Sequence, residues 1–268
     1  MGWGTGRPLP FHPRTTLITG ASSGIGRAAA TALAARGSNL VVVARRRDRL
    51  EALAQELRSA YGVHVQVIPA DLRHPHVGVA LLAACENHVD AVINNAGIGM
   101  FGRLDLQEPA LLEDLLNVNV RAVTSITRAF IPAMRERREG TIVNISSIVA
   151  HHATPYWATY AASKAFVLEF TKALWQENLE TGVRCVALCP GQTSTEFFTQ
   201  AGRSPSRMLS MSTPQDVVDA MMAMLDSRNT RPQRFVDLRS RLTTIALDWL
   251  PLPLRLRLIS GMAQHTHH

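Results

Sequence analysis

Seven short runs of β-branched and apolar residues recur along this chain with stretches of helical periodicity between them, and that alternation limits the fold more than any other feature. The runs are Thr15 to Thr19, Asn39 to Ala44, Val63 to Pro69, Val89 to Asn94, Gly140 to Ser146, Val183 to Cys189 and a weaker one from Arg234 to Asp237. Strands set apart by helix-length segments pair in parallel through crossovers, not as hairpins. Leu40 to Ala44 and Ala91 to Asn94 are apolar on nearly every residue, which suits strands covered on both faces. With right-handed crossovers the expected architecture is α/β, a doubly wound, seven-stranded parallel sheet with helices on both faces. In such a sheet ligands bind beyond the C-terminal ends of the strands. Helix punctuation agrees: Gly37 and Gly62 stand where C′ glycines belong, and Ser212, Thr213, Pro214 and Asp216 read as a cap, an N1 proline and an acidic first turn.

The length of 268 residues, 46% of them apolar and 18% charged, fits one large domain with an ample core. Its boundaries are expected at residues 14–238, after a loose leader over 1–13 and before an amphipathic extension over 239–268. The net charge of +7 comes from scattered arginines, densest at Arg45, Arg46, Arg47 and Arg49, without a long basic block or interleaved aromatics. Nucleic acid is therefore not an expected partner. Cys85, Cys185 and Cys189 form an odd set with no Cys-x-x-Cys spacing, so neither a disulfide framework nor a zinc site is expected, and a reducing compartment fits. The N-terminus lacks an apolar signal core and no run of 18 uncharged apolar residues occurs, which points to a cytoplasmic protein.

Between the first strand and a helix expected to begin near Ile25 lie Gly20, Gly24 and Gly26. Glycine lets the backbone turn tightly and approach a pyrophosphate, whose charge is met by free amides and the helix N-terminal dipole. The Gly-x-x-x-Gly-x-Gly spacing differs from the commoner dinucleotide fingerprint. At the end of the second strand, where a carboxylate would bind an adenosine ribose diol, the chain has Ala44, Arg45 and Arg46. An arginine there can pair with a 2′-phosphate, so NADP(H) is favoured over NAD(H), with Arg45 the expected contact and the Ser22 or Ser23 hydroxyl beside it.

Tyr160 and Lys164 stand one helical turn apart, and Lys164 is one of only two lysines against 26 arginines. A chain that writes arginine almost everywhere has kept a compact, tunable cation at 164. Residues four apart share a helix face, so the ammonium is expected to lie near the phenol and lower its pKa, making it a usable acid and base.

Taken together, TGASSGIG (19 to 26), NNAG (94 to 97), Asn119, Ser147, YAASK (160 to 164) and PGQTST (190 to 195) resemble the short-chain dehydrogenase/reductase family over roughly residues 14 to 237. The resemblance implies a Rossmann-like fold and a catalytic group of Asn119, Ser147, Tyr160 and Lys164. Tyr160 would protonate the substrate oxygen, Ser147 would hold it, and Lys164 would bind the nicotinamide ribose. Asn119 would anchor a water that relays protons to Lys164. Ser147 is preferred to Ser146 because it lies thirteen residues before the tyrosine, as in many members. Ala122 stands where the family often has glycine, a departure expected to have little consequence beyond local helix packing. By the same resemblance Gly20, Ser22, Ser23, Gly24, Ile25, Gly26 and Arg45 would hold the phosphates, and Asp71 and Leu72 the adenine. Asn95, Ala96 and Gly97 would line the cofactor, while Pro190, Gly191, Thr193 and Thr195 would lie against the nicotinamide and diphosphate. Cys189 reads as packing.

Substrate contacts are expected outside these motifs, from Ile148 to Trp157 and from the apolar loop Gln192 to Met211 with Phe197, Phe198, Met208, Leu209 and Met211. The loop suggests a hydrophobic carbonyl or alcohol. His151 and His152 lack metal-ligand spacing and read as surface histidines, and the terminal His265, Thr266, His267 and His268 as a tail. Beyond Arg239 the chain is amphipathic and basic; it packs on its own subunit or a partner's, or lies on a membrane surface. The overall expectation is an NADP(H)-dependent reductase, and the family resemblance implies a homodimer or homotetramer. The alternatives are an NAD-linked dehydrogenase or epimerase on the same fold, or a protein that senses the dinucleotide without turnover.

Overall fold

The computed structural model describes residues 11–202, 211–227 and 231–264; Met208, Leu209, most of the leader and His265 to His268 lie outside the described residues. Seven strands, β1 (Thr15–Thr19), β2 (Asn39–Ala44), β3 (Val65–Pro69), β4 (Ala91–Asn94), β5 (Gly140–Ile145), β6 (Val183–Cys189) and β7 (Gln233–Phe235), form one sheet in the order β3-β2-β1-β4-β5-β6-β7. Every pairing is parallel. Val63 and Val89, read as strand residues, are buried but lie before their strands begin: apolar packing extends past the hydrogen-bonded ladder. Phe11, at the start of the described chain, donates its amide to Asp226 at 2.6 Å.

Side chains alternate across the sheet, and both faces are apolar. Ile18, Val42, Ile93, Val143 and Val186 point to one side and pack with α1 (Gly24–Ala35), α2 (Arg47–Tyr61) and α8 (Pro214–Leu225). Their neighbours Leu17, Val41, Val43, Val92, Ile142 and Cys185 point to the other, against α3 (Val77–Ala84) and α5 (Val123–Glu136). Ala122, where a glycine was the family expectation, is 1% exposed and packed in that second cluster, and Gly78 lets α3 approach α5 closely, since a Cβ there would sit 2.2 Å from the Ser125 carbonyl oxygen. The caps expected from sequence are present. Gly62 ends α2 in the left-handed region at φ 67, and Thr213 and Asp216 form a reciprocal capping box at the start of α8 with Pro214 at N1.

After β3 the chain crosses to β4, which pairs with β1. The strand order reverses at the β1/β4 boundary, and a crevice opens there at the C-terminal strand ends. Helix α6 (Ala158–Glu177) follows β5 and packs on β6. Two further helices, α9 (Leu238–Asp248) and α10 (Leu252–Gln264), close the chain. Among the described residues no helix is long and apolar enough to cross a membrane.

Candidate active site

The crevice is the mouth of a cleft of about 580 Å³ lined by residues from every strand end between β1 and β6. Its floor at β1 is the glycine turn. Gly20 (φ +69) and Gly24 (φ +55) occupy the left-handed region where other residues are strained. Gly26 is required by space: a Cβ would lie 2.4 Å from the Gly20 carbonyl oxygen and 2.5 Å from Asn95 Nδ2. Ser23 is the N-cap of α1 yet makes no side-chain cap bond; its hydroxyl, like that of Ser22, lies 3.1 Å from Arg46. The first-turn amides of α1 are thus left uncapped by that side chain, next to Ser22, Ser23, Gly24 and Ile25, which all line the cleft. Asn95 braces the turn, its side-chain amide donating to the Thr19 carbonyl at 2.9 Å while Thr19 Oγ1 accepts from the Asn95 and Ala96 amides.

At the β2 and β3 ends the cleft is lined by Arg45, Arg46, Asp71, Leu72 and Arg73. Arg45 is exposed, whereas Arg46 reaches back over the glycine turn. Sequence reasoning chose Arg45 alone; Arg46 is a second cation at the same end. Hydrogen bonds from Arg73 lower the Asp71 carboxyl to about 2 against some desolvation, with Arg45 adding a smaller attraction. Arg73 also pairs with Asp114 at 2.8 Å.

Tyr160, Lys164, Ser147 and Gly97 line the middle of the cleft. Tyr160 and Lys164 face the same space, as their spacing on α6 dictates, with the Lys164 ammonium 5.9 Å from the phenol ring centroid. Burial pushes the Tyr160 phenol well above its ordinary value, opposed by a hydrogen bond with Ser147. The lowering of Tyr160 expected from Lys164 is therefore reversed among the protein's own groups. Both side chains are buried, each resists its charged form, and burial brings Lys164 down to about 8. Lys164 Nζ donates to the Ile145 carbonyl at 2.9 Å. Of the two serines after β5, Ser146 donates to the Lys164 carbonyl at 2.9 Å, while the Ser147 hydroxyl, 3.5 Å from the Pro190 carbonyl and 3.4 Å from the Val149 amide, is the one that meets the phenol.

Asn119 lies in a π-helical turn, residues 117–122, between α4 (Pro109–Leu116) and α5. Its side chain is fully buried and grips the Ile98 backbone at both ends, accepting from the amide at 2.8 Å and donating to the carbonyl at 2.9 Å. It donates again to Ser163 at 3.0 Å. A Cβ on Gly97 would meet both Lys164 Nζ at 3.3 Å and Asn119 Oδ1 at 3.5 Å, so the two flank one glycine.

Apolar walls surround the phenol. Trp157 and Phe197 each place a ring 5.3 Å from that of Tyr160, and Tyr156 holds the left-handed φ of 66 just before Trp157. Pro190, Gly191, Thr193 and Thr195 line the cleft after β6. Cys189 is fully buried, with its thiol pushed up to about 12 by burial, and acts in packing. The histidines correct their sequence reading as surface residues. His152 has a side chain only 6% exposed, lines the cleft and lies 3.2 Å from the Thr244 carbonyl of α9, while His151 stacks on Phe235 at 4.8 Å. Sequence reasoning also missed Thr243, Thr244, Leu247, Ile259 and Met262, through which α9 and α10 roof the cleft; their amphipathic period showed a face without showing which way it turns.

Known proteins resemble this chain in sequence and fold. A family model described as short chain dehydrogenase matches residues 14–205. The ketoacyl reductase HetN of Nostoc is 34% identical over 221 residues, 81% of this chain and 77% of that protein. Sulfoacetaldehyde reductase of Chromohalobacter salexigens is 40% identical over 185 residues, 67% and 72% of the two chains. Among solved structures, a short-chain dehydrogenase from Sphingobium yanoikuyae in complex with NADPH superposes with a TM-score of 0.80 at 35% identity, covering 94% of this chain and 95% of that one.

Proposed function

The chain belongs to the short-chain dehydrogenase/reductase family, oxidoreductases that bind a nicotinamide dinucleotide, and on that premise we propose that it is an NADPH-dependent reductase of a hydrophobic ketone or aldehyde with Tyr160 as the proton donor. The observation that carries this reading is one cleft holding the glycine turn, an arginine pair at the β2 end and the buried Tyr160, Ser147 and Lys164.

The residues fit the cofactor. Gly20, Gly24 and Gly26 leave room that a Cβ would fill, and the amides around Ser22 to Ile25 suit the diphosphate. Arg45 and Arg46 suit a 2′-phosphate, which NAD(H) lacks. Asp71 and Leu72 would contact the adenine, Asn95 to Gly97 and Lys164 the ribose, and Pro190, Gly191, Thr193 and Thr195 the nicotinamide end. When bound, the nicotinamide supplies the hydride.

Negative charge develops on the carbonyl oxygen in such a reduction, so a proton donor and a hydrogen-bond donor must already point at it. Tyr160 Oη holds its proton firmly, because burial opposes the phenolate. The phenol is therefore in the protonated form that a donor to the forming alkoxide needs. Ser147 orients the phenol and donates to the same oxygen. Lys164, with its pKa near 8, can return a proton towards Tyr160 near neutral pH. Asn119 pins the turn carrying Gly97 beside that ammonium. Val149, Trp157, Phe197, Phe198 and Leu247 along the cleft exclude water and favour an apolar substrate.

Self-association into a dimer or tetramer belongs to this reading, as does contact of the tail with an anionic membrane surface. The latter is supported by Trp249 at 85% exposure after α9, with Leu242 and Ile245 exposed on α9, Leu252 and Leu258 on α10, and the exposed Arg241 and Arg257 on the same two helices. The reading is tested by following NADPH oxidation over ketones and aldehydes graded by size and polarity, then repeating the panel with NADH. Turnover of apolar carbonyls with NADPH preferred is the expected result; preference for NADH removes the arginine assignment.

A further inference from the structure

Glu196 follows Thr195 and immediately precedes α7 (Phe197–Gln200). Its carboxylate is divided between two guanidiniums, one oxygen 2.9 Å from Arg46 and the other 2.7 Å from Arg49. Arg46 at the same time reaches Ser22 and Ser23 at 3.1 Å. One guanidinium therefore ties the glycine turn to the segment after β6. The residues on either side of Glu196 are engaged as well. The Thr195 methyl comes so close to Gly24 that a Cβ there would lie 2.9 Å away. The Phe197 ring is 5.3 Å from that of Tyr160 and fills the space over Gly99, where a Cβ would meet it at 2.3 Å. Three consecutive residues thus touch the phosphate turn, the arginine pair and the proton donor.

We propose that Glu196 is a cofactor-discriminating residue, whose carboxylate, held by Arg46 and Arg49, occupies at Arg46 a place that the 2′-phosphate of NADP(H) takes between Arg45 and Arg46, and whose displacement by that phosphate releases Phe197 from Tyr160. The inference rests on the NADP(H) reading above. A guanidinium fork accepts a carboxylate or a phosphate through the same geometry, and a phosphate brings more charge and more acceptor oxygens. Both anions cannot stay on one pair without repelling each other. The clasp is also weak enough to be opened, since its three side chains are 36–45% exposed and such pairs contribute little. The two arginines hold the Glu196 carboxyl below its ordinary value, so it is charged and able to compete at neutral pH. A dinucleotide without the phosphate leaves the clasp closed, with Phe197 against the phenol; one that carries it opens the wall on which substrate must sit.

Two fragments that lack the nicotinamide, 2′,5′-ADP and 5′-ADP, separate phosphate from hydride chemistry. Their affinities are measured on the full chain together with hydrogen exchange at the amides of Gln200, Ala201 and Gly202, which donate within the turn after Glu196. Saturating 2′,5′-ADP is expected to speed exchange there and 5′-ADP to leave it unchanged. In Glu196→Gln the same amides exchange fast without nucleotide, NADPH binds about fivefold tighter and NADH within about twofold of the parent, the size set by two exposed ion pairs. Tighter binding of 2′,5′-ADP than 5′-ADP with no change in exchange overturns the Glu196 inference and leaves the cofactor reading standing, as does a Glu196→Gln chain that binds NADPH less tightly. Equal affinity for the two fragments overturns the NADP(H) reading, and this inference with it.

Discussion

Replacing Lys164 by methionine should make the protein more stable and inactive, and the size of the gain follows from burial. Lys164 is 5% exposed, and its pKa falls from 10.5 to about 8 on folding. At about 1.36 kcal/mol per pH unit, holding the ammonium in place at pH 7 costs the fold about 3 kcal/mol. Methionine fills similar volume without charge but loses the charge-assisted bond to the Ile145 carbonyl at 2.9 Å, which contributes about 2 kcal/mol. The expected net gain is about 1 kcal/mol, or a melting temperature about 2–4 °C higher for a chain of this size. The sign with pH is equally specific. The folded pKa lies below the unfolded one, so between pH 8 and 10.5 the unfolded chain binds the extra proton and parent stability rises through that window. By pH 9.5 the balance should have moved by about 2 kcal/mol towards the parent, so that Lys164→Met no longer melts above it. Thermal melts of both chains at pH 7 and 9.5 decide the matter. A variant that melts below the parent at pH 7, or a gap that does not change with pH, would show that Lys164 is not a charge held against its own desolvation.

Gly26→Ala places a methyl 2.4 Å from the Gly20 carbonyl oxygen; overpacking of about 1–3 kcal/mol should lower the melting temperature and weaken NADPH binding at least about tenfold, read by melts and by NADPH fluorescence titration. Arg45→Ala should weaken NADPH about tenfold or more, as expected for a lost charge-assisted phosphate contact of at least about 1.4 kcal/mol, with NADH affinity within about twofold. Trp249→Ser with Leu242→Ser should abolish co-sedimentation with vesicles containing anionic lipid while leaving NADPH affinity unchanged; retention of vesicle binding assigns the exposed tail face elsewhere.

The central strands were legible because they are apolar runs buried on both faces, so hydrophobicity and pairing coincide for Leu40 to Val43 and fall apart at ends such as Val63 and Val89, whereas β7, Gln233–Phe235, has no buried residue and gave the weakest run. Gly20, Gly24 and Gly26 were legible for a local reason, since a turn into a helix under crowding leaves no other residue possible. The direction in which burial moves Tyr160 was not legible. Spacing on α6 gives proximity to Lys164, but the balance between attraction and desolvation depends on Trp157 and Phe197, which arrive from other segments. Nothing local marks the π-helical turn at Asn119, which is held by the Ile98 backbone 21 residues away. Arg46, Glu196 and the cleft-lining face of α9 and α10 likewise follow from contacts between distant segments.

Whether Tyr160 is the proton donor is tested most directly by Tyr160→Phe, with single-turnover NADPH oxidation measured beside NADPH affinity. Loss of the phenol proton should slow the reaction at least about 100-fold, with the dissociation constant for NADPH changed by no more than about twofold because the glycine turn and the arginines are untouched. A variant that still oxidises NADPH within about tenfold of the parent rate would contradict the assignment.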